Sequence, residues 1–165
     1  MKAIINKILD IYYRIPLFID AMIVILIWLL NSNASIFTIG ITTGQITTIC
    51  SSIIDTSVSM AGFILAALTI IVTFKSNIKA KGIEDSKNAL EMILASSNYK
   101  SIIYTFKSSI IELTVVFFIL YITTIVKGEL TKNIQFNILV STVAILILSL
   151  TRSLFLLFKI LKMEK

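Results

Sequence analysis

Thr47, Ser51, Asp55 and Ser59 recur at every fourth position, so a helix through them carries one polar stripe. Thr48, Ser52 and Thr56 form a neighbouring stripe. A carboxylate framed by hydroxyls can order water, face a cation or hydrogen-bond to another helix. A second set comprises Asp20, Glu112 and Arg152, each inside a strongly apolar run. Ionisable groups in such runs are costly unless paired, so the chemistry expected of this set is ion pairing. Counting residues from the run ends puts all three within about 10 Å of one membrane surface at a rise of 1.5 Å per residue. A Glu112–Arg152 or an Asp20–Arg152 pair satisfies the burial rule; a gate, a proton-linked site and snorkelling of Arg152 are the other readings.

Enzyme chemistry is not expected, and no catalytic residue is assigned. The chain has no histidine, so it has neither a Ser-His relay nor a histidine metal cluster. Its single cysteine, Cys50, has no partner in its own chain and is expected as a buried thiol. No phosphate-binding glycine loop or paired-cysteine motif occurs, and no metal or other cofactor is expected.

The elements that must position these residues are membrane helices. Of the 165 residues, 57% are hydrophobic, well above the share in soluble domains. The expectation is an all-α integral membrane protein with four transmembrane helices in a single domain. Residues 1–14 place Ile4, Ile5, Ile8, Leu9 and Tyr12 on one face, which suits an interfacial helix. Charges run through that segment and no small-residue cleavage site follows, so it does not read as a cleaved signal peptide. The spans are expected at 15–30, 46–74, 110–126 and 134–158. Trp28 is expected at the membrane interface, near the far end of the first span. Residues 75–108 read as a cytoplasmic amphipathic helical insert, and 127–133 as a tight turn. Gly62 and Ala66 give a small-xxx-small spacing that lets helix backbones approach, within a subunit or between subunits.

Charge sets the orientation. Thirteen of the 15 lysines and arginines fall in the two ends and the 75–108 segment; Lys127 and Lys132 are the exceptions. The positive-inside rule then places both termini and the insert in the cytoplasm. The formal charge of +6 is therefore topological, with anionic lipid headgroups as its natural partner and nucleic acid not expected.

The stretch SVSMAGFILAALTIIVTF, with SSNYKSIIYTFKSSIIE after a basic segment, resembles small bacterial membrane proteins of anti-phage defence systems. The four-span membrane component of the Kiwa system has this architecture. Gly62 and Phe63, then Tyr99 and Phe106, occupy the matching positions. The resemblance implies a homo-oligomeric component of the bacterial inner membrane that senses envelope perturbation or alters permeability with a cytosolic effector protein. A small cation channel or transporter, with Asp55 as the polar contact, and a structural scaffold are the alternatives.

Overall fold

Apolar runs free of proline dictate helix, because in lipid each backbone N–H and C=O must bond within its own segment. The computed structural model describes residues 15–34, 42–79 and 98–162. These form α1 (Pro16–Ala34), α2 (Thr43–Lys79), α3 (Asn98–Ile125) and α4 (Lys132–Lys162). Three of them, α2, α3 and α4, are long and apolar enough to cross a membrane, whereas α1 is a shorter apolar helix. The interfacial helix at 1–14 and most of the insert at 75–108 lie outside the described residues. The last part of that insert, from Asn98, is continuous with α3.

Local chemistry sets the helix ends. Pro16 occupies the first position of α1, where its missing N–H costs nothing. At α2 the backbone N–H of Gln45 donates to Thr42 Oγ1 (3.3 Å), and the Thr42 N–H donates to Gln45 Oε1 (2.8 Å). This reciprocal box fixes the start ahead of residue 46, where the span was expected to begin. The 37 residues of α2 extend about 55 Å, more than a bilayer core of about 30 Å. Between α3 and α4 the buried side chain of Gln135 reaches back and donates to the carbonyls of Lys127 (2.8 Å) and Leu130 (2.9 Å). It satisfies two carbonyls that the turn leaves without helical partners.

Residues partition in the sense opposite to a soluble bundle. Phe18, Ile25, Phe63, Ile70, Phe118, Ile122, Phe155 and Phe158 are exposed, while Ser57, Ser109, Glu112, Gln135, Ser149 and Arg152 are buried. Such a surface is unstable in water but matched to hydrocarbon. Two apolar clusters lie between the long helices. Ile46, Cys50 and Ile53 of α2 join Val116, Leu120, Phe136 and Leu139 at the turn end. Ile64 and Ile71 join Ile102, Phe106, Leu113 and Ile160 at the other end. The Lys75 Nζ sits 3.9 Å from the centre of the Tyr99 ring, completing an antiparallel α2–α3 pair. In lipid, apolar burial hardly favours association, so close packing and polar contacts must hold the helices together.

Candidate functional site

Asp20, Glu112 and Arg152 meet in the interior, from α1, α3 and α4 respectively. Their exposures are 2%, 5% and 2%. Arg152 Nη1 donates to Asp20 Oδ2 at 2.9 Å, and Nη2 donates to Glu112 Oε2 at 2.5 Å. Arg152 therefore pairs with both acids at once, where the sequence reading framed a choice between them. Each carboxylate takes a different nitrogen, so the guanidinium bridges two helices to its own. Nη2 also donates to Ser109 Oγ at 3.1 Å.

Serines let the helices approach this closely. Ser109 Oγ accepts from Arg152 and from Ser153 Oγ (2.8 Å) and donates to the Ser149 carbonyl (3.4 Å). That uses the full capacity of a hydroxyl, one donor and two acceptors. Ser149 Oγ donates back to the Ser109 carbonyl at 3.2 Å, so the two serines bond reciprocally across α3 and α4. Glu112 Oε1 is buried and within hydrogen-bond distance of no donor among the described residues.

The Asp20 contact is the first of three polar links between α1 and α4. Trp28 Nε1 donates to Ser141 Oγ at 2.8 Å, and the Asn31 side-chain amide donates to Asn137 Oδ1. Residues 20, 28 and 31 fall on one face of a helix, as do 137, 141 and 152. Rising numbers on α1 meet falling numbers on α4, so the two run antiparallel. Trp28 lies three residues before the end of the apolar part of α1, Pro16–Asn31. Its partner Ser141 lies nine residues into α4, about 13 Å from the first turn. Helix α1 itself continues to Ala34.

The α2 stripe has a different setting. Ser51, Asp55 and Ser59 are exposed and Thr47 is half-buried. The Asp55 side chain forms no hydrogen bond or ion pair with any described residue. It lies two residues beyond Ile53, which packs in the cluster of Val116 and Leu120. The exposed Ile122 and Ile125 of α3 lie nearer the turn than that cluster. Asp55 is therefore inside the apolar belt, about 8 Å from its edge at 1.5 Å per residue. Four flanking hydroxyls bond within their own helix: Thr47 to the Thr43 carbonyl, Thr48 to Gly44, Ser52 to Thr48 and Thr56 to Ser52.

Gly62 and Ala66 are exposed, and a Cβ added at Gly62 would meet nothing within 4 Å. This pair packs against no other described helix. Cys50 is buried and free. No group of His, Cys, Asp and Glu among the described residues is arranged to hold a metal ion. The chain matches no known protein family, no curated protein and no solved structure.

Proposed function

We propose that the chain is a four-span protein of the bacterial inner membrane that assembles with copies of itself and alters the membrane's permeability to cations. In this reading α1 is the fourth span. Its 19 residues extend about 28 Å, close to the thickness of a hydrocarbon core. Its antiparallel links to α4 support that role. Both ends and the α2–α3 connection face the cytoplasm, following the lysine and arginine distribution. There the exposed Lys100 and Lys107 meet anionic headgroups.

The observation that carries the proposal is the exposed Asp55 within the apolar belt. A charged aspartate facing lipid is unfavourable, with about 2.5–3.5 kcal/mol as the mid-bilayer limit and less at about 8 Å from the edge. Turning the Thr47–Ser51–Asp55–Ser59 face toward a shared axis removes that cost. Gly62 and Ala66, packed against no other described helix, lie one to three turns further along and let neighbouring copies approach. Repeated acids around an axis favour cations over anions. The resemblance to anti-phage membrane proteins supports a cytosolic effector as the partner that sets off the permeability change.

The test is cation flux from liposomes containing the purified protein. Flux above that of empty liposomes, lowered by Asp55→Asn without loss of assembly, is the expected result. Equal flux for both proteins contradicts the proposal. The structural-scaffold reading is favoured by the four hydroxyls already bonded within α2, which need no water. It calls for assembly with no flux at all.

A further inference from the structure

We propose that the outward face of α3 binds one anionic phospholipid, with Lys107 and Tyr104 at its phosphate and the rest of the helix as a wall for its chains. The proposal rests on the membrane-spanning reading of α3, and not on the Asp55 face, self-assembly or flux.

The first argument is the helix face. Lys100, Tyr104, Lys107, Ile111, Phe118 and Ile122 follow one another at steps of three, four or seven residues, so they share one side of α3. All six are exposed. Phe106, Leu113 and Leu120 occupy the opposite side and are buried in the two apolar clusters. The outward face is therefore basic and aromatic as far as Lys107 and apolar from Ile111 on. The hydroxyl beside it, of Thr114, is already bonded to the Ile110 carbonyl at 2.8 Å. From Ile111 to Ile122 the apolar stretch covers about 16 Å, which is one leaflet of a core about 30 Å thick.

The second argument is charge. The four described helices contain three acids, Asp20, Asp55 and Glu112. Asp20 and Glu112 are buried, and Asp55 lies toward the other end of the bundle, beside the cluster at the α3–α4 turn. No exposed acid of these helices stands near Lys100 or Lys107. A lysine near a membrane surface favours anionic over neutral lipid by about fivefold.

Depth assigns the contacts. Helical side chains lean toward the N-terminus, which for α3 is away from the apolar stretch. Lys107 therefore carries its ammonium out to the phosphate layer while its methylenes cover apolar surface. Tyr104 stands one turn further out, where its ring lies against the lipid and its hydroxyl donates to a phosphate oxygen. Lys100 adds charge beyond it. An acidic protein segment or a free phosphate would answer the lysines and leave Ile111, Phe118 and Ile122 without a partner. A phospholipid answers both parts of the face.

A tryptophan placed on the face tests this. Ile111→Trp in a Trp28→Phe background reports the site, and Ile25→Trp in the same background reports an exposed position on α1. The full-length variants, checked for wild-type circular dichroism, are reconstituted in vesicles of equal parts phosphatidylglycerol and phosphatidylcholine, with one or the other brominated in its chains. The preference for phosphatidylglycerol, read from quenching, should be about 5- to 25-fold higher at position 111 than at position 25. Lys100→Gln with Lys107→Gln should bring it down to the position-25 value, and Lys100→Arg with Lys107→Arg should retain it. Native mass spectrometry gives a second reading on the unsubstituted protein, which should hold phosphatidylglycerol in preference to phosphatidylcholine. Equal quenching preference at the two positions, or equal retention of the two lipids, overturns the proposal. So does a preference that survives loss of both lysines. A preference erased by inorganic phosphate, but not by chloride at the same ionic strength, marks a free anion as the ligand and also overturns it.

Discussion

Either acid alone can neutralise Arg152, and this sharing predicts a non-additive pattern of stabilities. Asp20→Asn keeps a carbonyl oxygen as acceptor and leaves the Arg152–Glu112 pair. Glu112→Gln likewise leaves the Arg152–Asp20 pair. Each single change exchanges an ion-paired hydrogen bond for one from the guanidinium to a neutral carbonyl, a loss of about 1 kcal/mol. Together they remove both described carboxylate partners of a buried guanidinium, which costs about 3–5 kcal/mol. The double variant should therefore exceed the sum of the singles by about 1–3 kcal/mol. Arg152→Met alone should cost at least as much as the double variant, because it strands both acids. Adding Arg152→Met to the double variant should recover stability, since no buried charge remains. Equilibrium unfolding in mixed micelles, followed by circular dichroism, gives all five values. Additivity within about 0.5 kcal/mol, or an Arg152→Met cost under about 1 kcal/mol, would refute the shared pair and leave Arg152 as a snorkelling residue.

Other consequences are simpler. In a Cys50→Ser background, Lys127→Cys should react with an impermeant thiol reagent from outside the cell and Lys100→Cys only after lysis; the reverse pattern contradicts the topology. Ser141→Ala removes the acceptor of Trp28 Nε1, so it should alter Trp28 emission and lower stability by about 1 kcal/mol. An unchanged spectrum would mean that Trp28 is not bonded there. Gln135→Met leaves the Lys127 and Leu130 carbonyls without their donor and should cost about 1–3 kcal/mol in the same unfolding assay. It should leave the Trp28 spectrum unaltered, because the turn is at a distance from the α1–α4 links.

Much of this architecture is legible in the chain, for identifiable reasons. Long apolar runs with few glycines and one proline announce membrane helices, because lipid admits few other backbones. The depth of Asp20, Glu112 and Arg152 follows from counting residues along rigid helices, which is why the three could be placed at one level. That both acids share one guanidinium depends on how the helices are rotated about their axes, and periodicity does not supply this. Trp28, Asn31, Asn137 and Ser141 are isolated polar residues in apolar runs. Taken singly they resemble boundary residues, and their pairing appears only when α1 lies against α4. The capping box at Thr42 and Gln45 stands in the sequence as T-T-G-Q, just ahead of the expected second span, but its reciprocal bonds depend on the local backbone. Gln135 carried no local signal, because the carbonyls it serves belong to a turn formed only after α3 and α4 pack.

The measurement closest to the central claim is the environment of the α2 stripe. A spin label at Ser59→Cys in a Cys50→Ser background reports it directly in nanodisc-embedded protein. Ser59 is exposed in the single chain and shares its face with Asp55. The account predicts that the label is reached by a water-soluble relaxation agent and shows dipolar coupling to labels on neighbouring copies. A label relaxed by oxygen alone, with no coupling between copies, would place this face against lipid and contradict the account.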